Sequence, residues 1–163
     1  MNIQQAIMSI QQTIDEIVRV SKELPEDVVR WKPAEDKWSI LQVLCHVEEA
    51  TPFWLKELKA VVQNPGIEWG RGLQHEGRLA AVNQADQRNI PDVLAGIEQS
   101  KSDVQTTLSS LSEDDLNIES PSRNPRFGTK PMAFIVDHLL VEHLDTHLKQ
   151  IRRNVQQYKE AAH

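Results

Sequence analysis

The stretch Ile135-Val136-Asp137-His138-Leu139-Leu140-Val141-Glu142-His143-Leu144-Asp145-Thr146-His147-Leu148-Lys149-Gln150-Ile151 decides the fold of this chain. Within it Ile135, Leu139, His143, His147 and Ile151 recur every four residues, the spacing that aligns side chains along one stripe of an α-helix. The stripe is apolar and core-facing at both ends, and two imidazoles interrupt it in the middle. Side chains four apart on a helix point the same way, so His143 and His147 face one spot. Polar rings inside an apolar stripe either satisfy each other through carboxylates and water or hold a ligand.

Outward from this stretch, three further segments show helical periodicity and none alternates with period two. The first runs from Asn2 to Glu23 with Ile3, Ile7, Ile10, Ile14 and Ile17 on one face, and stops before Leu24-Pro25. A connector with Trp31, Pro33 and Trp38 leads to Ser39-Ile40-Leu41-Gln42, where Ser39 and Gln42 form a capping box that starts the second helix near Ile40. Its inward residues are Val43, Val47, Ala50, Trp54 and Leu58, and Pro52 removes one backbone donor a turn and a half past His46, predicting a kink. A third helix begins at about Pro91, carries Leu94, Ile97, Val104, Leu108 and Leu111, and ends in the acidic run from Ser112 to Asp115. Pro131 then opens the last helix. The connections are long: Asn64 to Asn89, with a short helical piece at Leu79 to Val82, and the loop Asn117 to Lys130 with Pro121, Pro125 and Gly128. The expected fold is all-α, a four-helix bundle with long connections after helices two and three, in one domain over residues 1–163.

The composition excludes several classes. A net charge of −6 works against nucleic acid as a partner, because phosphate binding needs clustered Lys and Arg. The basic run from Lys149 to Arg153 complements the C-terminal half of its own helix instead. One cysteine, Cys45, rules out an internal disulfide framework, and it falls in the apolar run Val43-Leu44-Cys45 as a small buried hydrophobe. With no signal peptide and no apolar run of about 18 residues, the expectation is a cytoplasmic protein that meets no membrane.

His46 supplies the third imidazole. It lies three residues after Val43 and four before Ala50, on or beside the inward face of the second helix, and can look toward the last one. His138 is nine residues before His147, about 900° at roughly 100° per residue, and so is assigned to the surface or a dimer contact. His75 reaches the open end of the bundle only if the crossover folds over it, and His163 is a loose chain end. Trp31 and Trp38 plug one end of the core. Trp69, in the crossover, either packs or covers a pocket or dimer face.

These residues together resemble a known family. Trp38-Ser39-Ile40 followed by His46, the loop Pro125 to Gly128, and Glu142-His143 with His147 and Gln150-Ile151 are similar to the DinB/YfiT-like superfamily of metal-binding four-helix bundles. That superfamily is distinct from the DNA polymerase sharing the DinB name. The resemblance implies that His46, His143 and His147 hold a divalent metal, nickel or zinc first and iron or manganese next. It also implies a homodimer, a small-molecule substrate and, as in some members, transfer of a low-molecular-weight thiol of the mycothiol, bacillithiol or glutathione kind. No signature residue of the family is matched in the crossover Asn64 to Asn89, and His138 is additional.

Three neutral imidazoles leave the charge of a divalent ion uncompensated and a position open, where water titrates near ~7 and a thiol loses its proton outright. The leading expectation is therefore S-transfer from a cofactor thiol to an electrophilic carbon. Cys45 cannot supply that thiol, being about 100° around the helix from His46. The alternatives are a metal-dependent hydrolase with Glu49 or Glu142 as base, or a non-catalytic metal-binding stress-response module with a fourth protein ligand. Glu142, Asp145 and Glu49 are candidates to orient the imidazoles, and Arg71, Arg123 and Arg126 are loop arginines able to hold a carboxylate.

Overall fold

Two capping boxes set the start of two of the long helices. Asn2 caps α1 (Ile3–Lys22), accepting from Gln5 N while Gln5 returns the bond, and Ser39 and Gln42 do the same at the head of α3 (Ile40–Gln63). The structure, a computed structural model, describes residues 2–162, so His163 lies outside the described residues. Between α1 and α3 the connector forms a single turn, α2 (Glu26–Arg30). The crossover contains α4 (Glu76–Asn83), after which Asn89 caps α5 (Ile90–Ser109) with Pro91 in its first turn. A hairpin of β1 (Glu119–Pro121) and β2 (Thr129–Pro131) then feeds α6 (Met132–Phe134), an eight-residue π-helix (Ile135–Glu142) and α7 (His143–Ala161) in unbroken succession.

The bundle is built from α1, α3, α5 and the composite C-terminal helix. Both α1 and α3 pack against α5 and against the C-terminal helix, which puts α3 and α7 side by side. The periodic stripes read from sequence are the buried ones: Ile7, Ile10, Ile14 and Ile17 of α1, Val43, Val47, Ala50, Trp54 and Leu58 of α3, and Leu94, Ile97, Val104 and Leu108 of α5. Each Val, Leu or Ile among them contributes about 1.5–3 kcal/mol by leaving water, a contribution that does not depend on any ligand. Helix α3 runs on through Pro52. Cys45 is fully buried, and burial pushes its thiol up to about 11.

One expectation needs correction. The segment Asn117 to Lys130, expected to be loop, starts on the last residue of the 3₁₀ turn Asp114–Asn117 and contains most of the hairpin, with Ser120 opposite Lys130. The reason lies in a partner outside the segment: Trp69 of the crossover is fully buried, its indole donates to Ser120 O at 2.8 Å, and its backbone bonds to Pro121 O and Arg123 N. Trp69 therefore packs, as one of its two readings held, and pins the crossover to the hairpin, stacked with Phe127 and edge-on to Trp54. The following turn depends on Gly70, whose φ of 88° a side chain would strain and whose N–H donates to Glu57.

Candidate metal centre

His46 points inward from the second turn of α3, and His143 and His147 occupy successive turns at the head of α7. Because α3 and α7 are neighbours, the three rings meet. The Nε2 atoms of His46 and His143 stand 3.1 Å apart and those of His143 and His147 3.0 Å apart, with the rings nearly perpendicular to one another. Trp38 covers the His46 ring at 5.3 Å and is held in place by Asn154 of α7, which donates to its carbonyl oxygen at 2.9 Å.

The protons of this cluster do not balance. The carboxamide oxygen of Gln150 accepts from His147 Nδ1 at 2.9 Å, so His147 carries its proton there and turns a bare Nε2 toward the other rings. One proton on His143 Nε2 then serves the contact to His147 but cannot also serve the one to His46. A proton on His46 Nε2 instead leaves the His143–His147 contact as two facing lone pairs. Burial drives the His46 imidazole down to about 2, helped by the charges of His147 and His143, and His143 to about 3 for the same leading reason; His147 is lowered by burial as well. Adding protons is thus no remedy. A cation is, since nitrogens bound to one ion at about 2.0–2.1 Å stand roughly 3 Å apart. His46 Nδ1 is buried without a protein partner. The residues fit a divalent metal.

Above the triad opens a cleft of about 650 Å³ walled by Trp38, Trp54, Phe127, Asn124, Arg71, Arg78, Arg126 and His138. Among the described residues no carboxylate lines it. Its other titratable ring, His138, is exposed, in keeping with its assignment to the surface, yet it also lines the cleft, which helical phase did not predict. In the π-helix successive turns bond i to i+5, so His138 lies one turn before His143 on the same side instead of half a turn away. It stacks on Phe134 at 4.9 Å, and its Nδ1 meets Glu142 Oε2 at 2.8 Å.

The carboxylates expected to orient the triad are engaged elsewhere. Glu49 takes both guanidinium nitrogens of Arg71, Glu142 holds His138, and Asp145 pairs with Lys149 at 3.0 Å. The orienting role falls to Gln150, whose i,i+3 spacing from His147 on a helix was a legible signal. Arg71 is buried and stacks 4.0 Å over Phe53, and Arg123 pairs with Glu57. His75 caps α4, faces Phe53 and lines a separate cavity with Arg71 and Arg123, away from the triad. Arg78 was not singled out by the sequence, because only the folding of the crossover over the cleft brings it to the site.

Comparison with known proteins adds three findings. The family described as the DinB superfamily matches residues 9–151. A solved structure described as "YfiT from Bacillus subtilis is a probable metal-dependent hydrolase with an unusual four-helix bundle topology" superposes with a TM-score of 0.83 at 10% sequence identity, over 96% of this chain and 87% of that one. At that identity the likeness is one of fold. No curated protein matches the chain.

Proposed function

The chain belongs to the DinB superfamily, and on that premise we propose that it is a divalent-metal enzyme acting on a small molecule with a low-molecular-weight thiol as cofactor. The ion, nickel or zinc, is held by His46, His143 and His147. The observation that carries this reading is the convergence of three neutral imidazoles at the floor of an open cleft that offers no carboxylate. A closed structural site recruits a fourth protein ligand, and among the described residues the cluster offers three. In the same reading the chain works as a single-domain homodimer in the cytoplasm.

A divalent ion bound there supplies Lewis acidity, favouring the anionic form of a thiol or water beside it. The protein's share is positional. Three uncharged imidazoles hold the ion without cancelling its charge, and Gln150 fixes the His147 ring in the tautomer that presents a lone pair. Trp38 and Phe127 wall the cleft with aromatic surface that excludes water from the sulfur. The thiol comes from outside, since Cys45 is buried and protonated. Its sulfur attacks an electrophilic carbon, a carbon–sulfur bond forms, the bond to the leaving group breaks, and the thiol proton passes to solvent or to His138.

One observation favours hydrolysis as the second reading. Glu142 holds Nδ1 of His138 and leaves its Nε2 free to take a proton from water at the edge of the cleft, the role that Glu49 and Glu142 themselves were expected to fill. Elemental analysis of untagged protein, followed by titration of the zinc- or nickel-loaded form with small thiols, separates these readings. About one ion per chain with a thiolate-to-metal absorption band supports thiol transfer. Metal without a thiol response moves the assignment to hydrolysis, and absence of metal overturns both.

A further inference from the structure

Arg78 stands on α4, where the crossover folds over the cleft. Its guanidinium lies 5.4 Å from the centre of the Trp38 ring and donates one hydrogen bond, at 3.1 Å, to Leu73 O. Trp38 also covers His46, so the guanidinium and the triad are each one aromatic contact from the same indole. The other arginines that the crossover and its flanks bring near have spent their charge: Arg71 on Glu49, Arg88 on Glu48 through two bonds of 2.7 and 2.9 Å, and Arg123 on Glu57. Arg78 is half-buried, and among the described residues no carboxylate lies within ion-pair distance of it. Arg126, on the hairpin loop, lines the cleft with no carboxylate partner either, its guanidinium 5.8 Å from the Phe127 ring.

A half-buried guanidinium without a counter-ion is costly in the free protein and is repaid when an anion arrives. The cleft is a positive spot on a chain of net charge −6, because it is lined by arginine, neutral imidazole and aromatic rings and by no carboxylate. A planar fork of N–H donors matches a carboxylate better than a point charge would, and the short path past Trp38 suits a compact ligand.

We propose that Arg78, assisted by Arg126, is an anion-recognition site that takes the carboxylate of a small ligand whose other end reaches His46, His143 and His147. The site rests on the reading that the triad end of the cleft is where the reacting group binds, and it names the substrate or cofactor class as carboxylate-bearing.

The test uses zinc-loaded protein and calorimetric titration with 3-mercaptopropionate, with uncharged 2-mercaptoethanol, and with propionate. The expected result is tighter binding of the charged thiol than the neutral one, by about tenfold or more for a charge-assisted contact. Arg78→Met erases that preference while zinc stays at one per chain and affinity for 2-mercaptoethanol is unchanged; Arg78→Lys restores part of it. Propionate separates this proposal from the thiol reading: if no thiol ligates the metal yet propionate binds the wild type and not Arg78→Met, the anion site stands and thiol transfer falls. Equal affinity of the wild type for both thiols, or an undiminished preference in Arg78→Met, overturns the proposal. Should Arg78→Met lose helical circular dichroism through loss of the bond to Leu73 O, Arg78→Gln, which keeps a donor there, gives the same reading.

Discussion

Gln150 accepts the Nδ1 proton of His147 across 2.9 Å, and this one contact decides which nitrogen of His147 faces the other two imidazoles. Replacement of such an orienting partner lowers metal affinity by about 10–100-fold. Gln150→Ala is expected to fall in that range in a competition titration against a chromophoric chelator, with helical content unchanged. Undiminished affinity would mean that packing alone orients the ring.

His143 makes both of the short Nε2 contacts, so it is the hub of the cluster. His143→Ala should abolish stoichiometric metal, read by elemental analysis, and leave the far-ultraviolet spectrum of the bundle nearly intact, because the apolar stripes do not depend on the ion. One metal per chain in the variant would sink the assignment of the triad.

Acid should destabilise the metal-free protein through these same rings. Their folded values are depressed, to about 2 for His46 and about 3 for His143, against about 6.5 in the unfolded chain. Between those limits the unfolded chain binds protons that the folded chain refuses, so stability is full above about pH 6.5 and is lost as pH falls toward the folded values, by up to about 1.4 kcal/mol per pH unit for each ring. Thermal melts of chelator-treated protein at pH 7.5 and 5 should show a lower Tm at the acidic value, and His46→Phe should shrink the difference. A Tm independent of pH over that interval would contradict the buried neutral state.

The Glu49–Arg71 pair holds the crossover to α3, with the Arg71 side chain 3% and the Glu49 side chain 26% exposed. Removing one partner of a buried pair costs about 3 kcal/mol, because the other charge is left unmatched. Glu49→Gln should therefore lower unfolding free energy by about that amount in denaturant titration and keep one metal per chain. If Glu49 were instead a ligand or the essential base, metal content or pH-dependent turnover would change with little loss of stability.

How far the chain could be read varies along its length. The stripes of α1, α3 and α5 were legible because apolar side chains repeat with the period of the helix, and the capping residue Ser39 marked its own position. The hairpin around Ser120 was not, since strands of three residues carry no period and are held by Trp69 from the crossover. His138 is on the surface as expected, but the side of the helix it occupies was misread for a different reason. Nothing between Ile135 and Glu142 breaks a helix, so the local sequence does not announce the π-helix that turns this ring into the cleft.

By itself the sequence determined that four amphipathic helices bury one another and that His143 and His147 share a face, because both follow from helical period and the free energy of removing apolar surface from water. It marked His46 as inward-facing but could not say toward which helix. Only the tertiary structure decided that α3 lies beside α7, that Gln150 and not a carboxylate sets the tautomer of His147, and that Arg78 lines the cleft of the triad with no carboxylate within ion-pair distance among the described residues. Those relationships join residues far apart in the chain or depend on competition for one partner, as when Arg71 takes Glu49. A periodic pattern reports which side of an element is buried, whereas the identity of the atoms waiting there is settled only when the elements meet.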